Sequence, residues 1–201
     1  IKVGRPEEFS QVLENYQSAT NAVEDADAMD LKYSAAKGIY DGKKFDKAIP
    51  ALKEFVRKYP NDENVVEAYF LIADAADQIN DSTEALVAYK KVIEQNAHPQ
   101  LNKAILRAAE LENKMGNYVE SVGYYRLHAS KNTEAEDQLN AYNNIFKTYY
   151  AGKLLDSVGK VITEIQSLNL YSKEEQAKMS RGLAEAYSDS TSLGLRTEWL
   201  N

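Results

Sequence analysis

One helical pattern recurs four times along the 201-residue chain. Apolar or small residues stand at i, i+4 and i+7 in Ala48, Leu52 and Phe55; in Ala85, Tyr89 and Val92; in Ser121, Tyr125 and His128; and in Val158, Ile162 and Ile165. The first members lie 85 − 48 = 37, 121 − 85 = 36 and 158 − 121 = 37 residues apart. This spacing puts each trio on one face of a helix. A fixed period of this size is the signature of an array whose units bury their apolar faces against one another. The segment Tyr40-Asp41-Gly42-Lys43-Lys44-Phe45-Asp46 also aligns with Tyr150-Ala151-Gly152-Lys153-Leu154-Leu155-Asp156 at an offset of 150 − 40 = 110, about three repeats.

Before each trio lies a second helical stretch with its own small or apolar face: Ala35, Ala36 and Ile39; Ile72, Ala73 and Ala76; Ala108 and Ala109; Ile145, Phe146 and Tyr149. Paired small residues let helix axes approach closely. Gly42, Asn80, Gly116 and Gly152 divide the two stretches and suit a left-handed helix end, so each unit reads as a helical hairpin. Tyr59-Pro60-Asn61-Asp62, His98-Pro99, Lys131-Asn132-Thr133 and Ser167-Leu168-Asn169 separate the hairpins. Capping-box spacing occurs at Asp81 with Glu84, Thr133 with Glu136 and Ser172 with Glu175. Pro50 is read as falling early in its helix, where a missing N–H costs little.

The expected organisation is a single array over 1–201. Residues 5–27, with Val12, Tyr16 and Ala19 on the trio spacing, form the second helix of a preceding repeat. Repeats follow over 28–62, 63–99, 100–132 and 133–170, with a partial repeat or cap over 171–201 faced by Leu183, Ala184 and Tyr187. The ragged ends and the initial Ile1 lead us to expect a processed product or a fragment of a longer chain.

With 44% hydrophobic and 27% charged residues the chain has an ordinary globular balance. A net charge of −7 argues against nucleic acid as partner, since phosphate backbones are held by clustered Lys and Arg. No apolar run is long enough to span a bilayer, so no direct membrane insertion is expected. The absence of cysteine removes disulfides and thiolate chemistry. The two histidines, His98 and His128, stand in no metal-ligand spacing, and no phosphate-cradling glycine loop is present. Carboxylate pairs such as Glu24-Asp25 read as solvated caps. We therefore expect no enzyme, no metal and no cofactor.

The third repeat is unusual, with Ser121 and His128 at trio positions and Glu112 where other repeats place Ile39, Ala76 and Tyr149. Either Glu112 and His128 meet in a pH-sensitive polar contact, or Leu111 supplies the packing while Glu112 faces water.

The small pair Ala35-Ala36, the Gly42 to Phe45 turn, Ala48, Leu52 and Pro60 resemble the tetratricopeptide repeat, as does the copy from Ala68 through Ala85, Tyr89 and Val92. The style of Lys58-Tyr59-Pro60-Asn61-Asp62 before Ala68-Tyr69-Phe70-Leu71 is similar to bacterial periplasmic or outer-membrane-associated members. The resemblance implies an all-α fold, a right-handed α-solenoid of antiparallel helix pairs. It also implies a concave groove, lined by first helices, that grips a peptide or partner helix. By helical spacing that face carries Tyr33, Lys37, Tyr40, Phe70, Asp74, Arg107, Asn143, Lys147 and Tyr150, with Asp77, Glu110 and Lys114 beside them, and the resemblance adds Lys103 to it. Lys103 and Arg107 match part of the family's carboxylate clamp; Tyr33, Lys37 and Leu71 depart from it, so a complete clamp is not expected. The implied function is a protein-interaction module, scaffold or adaptor. The alternative is an architectural array that self-associates through its open ends. The resemblance favours a periplasmic or outer-membrane-associated setting, with a cytoplasmic one as the alternative.

Overall fold

The computed structural model describes Val12 and residues 26–132, 134–168 and 171–189. The described residues form α1 (Ala26–Asp41), α2 (Phe45–Lys58), α3 (Val65–Gln78), α4 (Ser82–Gln95), α5 (Leu101–Lys114), α6 (Tyr118–Lys131), α7 (Ala135–Ala151), α8 (Leu155–Leu168) and α9 (Lys173–Asp189). Tyr16, Ala19, Thr133, Asn169, the side chain of Tyr187 and the segment after Asp189 lie outside the described residues; Val12 is exposed. The chain divides into two compact units, Ile1–Ala104 and Ile105–Asn201, with the division inside α5.

Four hairpins are closed by one backbone device. Lys43, Asn80, Gly116 and Lys153 take left-handed conformations with φ of 57°, 62°, 83° and 55°. At each, two N–H groups reach back across the helix end. Lys43 donates to the Tyr40 carbonyl at 2.8 Å and Lys44 to that of Ile39 at 3.2 Å; Asn80 to Asp77 at 3.0 Å and Asp81 to Ala76 at 2.8 Å. Gly116 donates to Asn113 at 3.0 Å and Asn117 to Glu112 at 2.9 Å; Lys153 to Tyr150 at 3.1 Å and Leu154 to Tyr149 at 2.9 Å. This crossed pair satisfies carbonyls that a helix end otherwise leaves without partners. The second donor of each pair immediately precedes the next helix, so the reversal is tight.

Two expected left-handed glycines are not left-handed. Gly152 sits in the right-handed helical region, φ −74°, and the lysines following Gly42 and Gly152 bear the positive φ. At Gly152 the constraint is steric, because a Cβ would stand 2.6 Å from the Tyr118 ring. Pro50 also differs from the reading, since it lies inside α2, where the amide it lacks would have bonded the Asp46 carbonyl. It is on the exposed side, where water can satisfy that carbonyl.

Every residue of the four trios is buried. In the first unit α2 packs on α1 and α3, and α3 on α4. Leu52, Ile72, Tyr89 and Val92 are among the fully buried side chains, with Ala48, Ala68, Ala73 and Ala76 filling the seams at 0% exposure. Each large aliphatic so buried contributes about 1.5–3 kcal/mol. In the second unit Ala109, Val122, Tyr125, Ile145, Val161, Ile165 and Tyr171 share a core, and Val158, Ile162 and Leu183 form a second cluster.

Polar groups in the second unit are matched individually. Ser121, fully buried, donates to the Ala109 carbonyl at 2.8 Å, which is how a hydroxyl replaces alanine in this trio. Asn113 Nδ2 donates to Thr148 Oγ1 at 2.8 Å. Arg126 forms a bidentate pair with Glu164 at 2.6 and 2.7 Å, and Tyr142 donates to the same carboxylate at 3.0 Å, tying α6, α7 and α8 together.

Leu111 supplies the packing, 3% exposed, as the second reading has it, but Glu112 neither pairs with His128 through a hydrogen bond found here nor faces water. Glu112 is buried, 2% exposed, but its carboxylate accepts from Asn117 Nδ2 at 2.7 Å. His128 is buried with no hydrogen-bond partner for Nδ1. Burial pushes its pKa down, opposed in part by the Asp137 carboxylate. At the caps, the Ser172–Glu175 box is reciprocal: Ser172 N–H donates to Glu175 at 2.9 Å and Glu175 N–H to Ser172 Oγ at 3.3 Å. At Asp81 only the forward half forms, from Glu84 N–H at 3.0 Å, because Glu84 turns to Lys53. Helix α7 starts from Glu134, whose side chain makes no capping hydrogen bond.

Lys43→Gly and Lys153→Gly are each expected to stabilise the chain by about 0.5–1 kcal/mol, since glycine bears no Cβ penalty at positive φ, whereas Gly116→Ala should cost about 1 kcal/mol. Denaturant titration measures both signs. His128→Leu should flatten the acid side of the stability profile: a base whose folded pKa is depressed gives full stability above its unfolded pKa of about 6.5, and that stability is lost as pH falls below it. Urea midpoints from pH 8 to pH 5 measure the difference in slope.

Candidate functional site

In the first unit the residues expected on the binding face converge on one network. Tyr40, at the end of α1, donates its hydroxyl to Asp74 Oδ2 at 2.7 Å. Lys103, in the first turn of α5, donates to Asp74 Oδ1 at 2.9 Å. Its ammonium also lies 5.1 Å from the centre of the Phe70 ring, within cation–π range. Phe70 and Asp74 are one turn apart on α3, so a single cation reaches both. Repeat spacing thus assembles one residue from each of three successive first helices.

Two participants were not singled out by the sequence for this face. Glu67 accepts from His98, Nε2 to Oε2 at 2.6 Å, and the His98 ring stacks on Phe70 with centroids 4.7 Å apart. The Gln100 N–H donates to His98 Nδ1 at 3.1 Å, which leaves Nδ1 as acceptor and makes Nε2 the protonated nitrogen. His98 therefore crosses from the α4–α5 loop back to α3 while receiving the amide that precedes α5. The available signal was the spacing Glu67, Phe70, Asp74, which is i, i+3, i+7 on one helix face.

Burial separates these residues into those that present themselves and those that support. Phe70, expected as an anchor for a ligand, is 3% exposed beneath His98 and Lys103, so it underlies the face. Tyr33 is half-buried against Phe55, centroids 5.3 Å apart. Burial and the carboxylates of Glu67, Asp41 and Asp62 push its hydroxyl pKa up to about 12. Tyr40 is pushed up further, by burial first and then by its bond to Asp74. Lys37 pairs with Asp41 one turn on, at 3.0 Å. Asp77 accepts from Tyr89 at 3.2 Å. Helix α3 brings Glu67, Asp74 and Asp77 and no basic residue, so the face is electronegative.

In the second unit Arg107 pairs with Glu110 on its own helix. Tyr150, 42% exposed, stacks on Phe146 with centroids 6.1 Å apart. Lys147 is exposed and Asn143 half-buried. Phe146 and Tyr150 share an apolar notch of about 250 Å³ with Lys178, Met179 and Gly182. Among the described residues no group of three or more His, Asp or Glu is placed to hold a metal ion, and no helix is long and apolar enough to cross a membrane.

The elements define a helix-pair repeat protein, all-α and solenoid in class. Residues 31–62 and 67–98 each match the tetratricopeptide repeat model. No curated protein matches it. Among solved structures it is similar to the crystal structure of MamA, at 22% identity and a TM-score of 0.52 over 86% of this chain and 92% of that one. It is also similar to MamA 41-end from Desulfovibrio magneticus RS-1, at 17% identity and a TM-score of 0.50 over 86% and 90%. The MamA RS-1 ArsTM double mutant gives 16% identity and a TM-score of 0.51 over the same shares. These likenesses establish the fold. Tetratricopeptide repeats in general mediate protein–protein interaction and scaffolding, and proteins of this fold are mostly not enzymes.

Tyr40→Phe is expected to lower stability by roughly 1.5 kcal/mol, since a hydrogen bond to a charged acceptor is lost. In a double-mutant cycle with Asp74→Asn the two losses should be non-additive by at least about 0.5 kcal/mol. Additive urea-derived losses would mean that the bond contributes nothing.

Proposed function

We propose that the chain is a protein-interaction module whose first-helix face in the unit Ile1–Ala104 holds a segment of a partner protein. The supporting observation is the network Tyr40, Asp74, Lys103, Phe70, His98 and Glu67, in which side chains from three successive first helices are fixed by mutual bonds. Groups already held in place lose little freedom on binding, and aromatics beside fixed charges are what an interface core uses. The carboxylates that raise Tyr33 and Tyr40 favour a segment offering donors: Lys or Arg side chains, hydroxyls, or the free amides of an extended backbone. Lys103 is the exposed member of the network, with Tyr33 and Lys37 half-buried beside it and Asp41 at the edge of the face. In the unit Ile105–Asn201 the corresponding residues are Arg107, Asn143, Lys147 and Tyr150, which we assign to the same role. We read the repeats of both units as one array serving as scaffold or adaptor.

A photo-crosslinking residue placed at Tyr33 or Lys37 is expected to capture one and the same partner segment. A probe at Val119, 64% exposed in the second unit, should not. Asp41→Lys, on an exposed side chain, should reduce the yield at Tyr33 severalfold with melting nearly unchanged. Equal capture at Val119, or capture of the chain by itself, would overturn this assignment.

A further inference from the structure

The other side of α3 faces an open groove that the first-helix network does not use. Tyr69 and Ile72 lie roughly opposite Phe70 and Asp74 around the helix and form its floor. The second helices α2 and α4 form its walls, with Ile49 on one and Val87 on the other, and the groove measures about 760 Å³. Val87 is 54% exposed, so an apolar wall stands open to water. Each helix is 14 residues long, giving a wall of about 21 Å, roughly four turns.

Charge decides what such a groove accepts. Two carboxylates on its rim already have lysine partners: Glu84 with Lys53 at 2.9 Å and Glu54 with Lys32 at 3.7 Å. Arg57 on α2 is exposed and has no carboxylate partner among the described residues, and Lys91 on α4 pairs along its own helix, with Glu94 at 2.8 Å. Helix α2 carries Lys47, Lys53, Arg57 and Lys58 against Asp46 and Glu54, a balance of 4 − 2 = +2 in a chain of net charge −7. The rim therefore offers a guanidinium above an apolar floor, on the reverse of a helix whose front is acidic.

We propose that this groove is a second interaction surface, which seats an amphipathic segment of a partner protein carrying a carboxylate opposite Arg57 and aliphatic side chains against Ile49, Tyr69 and Val87. The assignment is independent of the first-helix face. It would let one repeat pair hold two partners, a donor-rich segment on the front of α3 and an acidic amphipathic segment on the back.

The test is selection of phage-displayed peptides on the full chain, followed by fluorescence anisotropy of the recovered peptide with Arg57→Glu, Val87→Glu and the opposite-face variant Asp41→Lys. All three positions are exposed, and thermal melts verify that each variant folds. The expected result is a peptide with Asp or Glu among apolar residues at helical spacing. Arg57→Glu and Val87→Glu should each weaken it about tenfold or more, with Asp41→Lys unchanged. Recovery of no such peptide, peptides lacking acidic residues, or loss with Asp41→Lys and not with Arg57→Glu would overturn the proposal. So would self-association in sedimentation that Val87→Glu abolishes, because the groove would then belong to a second copy.

Discussion

The crossed pair of backbone hydrogen bonds at each left-handed turn is the constraint on which the rest of the molecule depends. Its conserved geometry recurs at Lys43, Asn80, Gly116 and Lys153, separated by 37, 36 and 37 residues, the period of the trios themselves. A turn of fixed conformation sets where the next helix starts and which way it points. Each trio begins five residues beyond its turn, at Ala48, Ala85, Ser121 and Val158, and is buried. Side chains at these turns vary widely, from lysine to glycine, because the requirement falls on the backbone.

That fixed register lets polar residues enter the seams without disorder. The Ile39, Ala76, Glu112 and Tyr149 carbonyls all accept the bond that spans five residues across the turn. With the backbone so held, the buried Glu112 carboxylate falls beside Asn117, whose amide and side chain bond the same residue. Ser121 falls where its hydroxyl meets the Ala109 carbonyl. The same register turns α3 into a two-sided element, with Glu67, Phe70 and Asp74 joined to Tyr40, His98 and Lys103 on one side and Tyr69 and Ile72 under the groove on the other.

Legibility in the sequence followed the physics of each feature. The trios were readable because burial is a property of periodic spacing, and all four are buried. The turns were readable only in position. Glycine at 42 and 152 reads as the left-handed residue, whereas two backbone bonds hold Lys43 and Lys153 there, and Gly152 answers to the Tyr118 ring. On the first-helix face, helical spacing names Tyr40, Phe70 and Asp74, and the family resemblance adds Lys103. Their depth was not legible, because it depends on His98, a loop residue 31 positions from its partner Glu67. A histidine before proline reads as punctuation until the fold brings it back over α3. Glu112 was misjudged in both readings because its partner Asn117 lies across the turn, where helical spacing no longer applies.

The most direct test of this account is native-state hydrogen exchange at the amides of Lys44, Asp81, Asn117 and Leu154, the donors of the bonds that span five residues across the four turns. If these bonds close the hairpins, all four should exchange slowly although Lys44, Asp81 and Asn117 are exposed, and protection at each should rise and fall with that of the trio that follows it. Exchange at the rate of an unstructured peptide, with the trios still protected, would show that packing alone sets the register and would contradict the account.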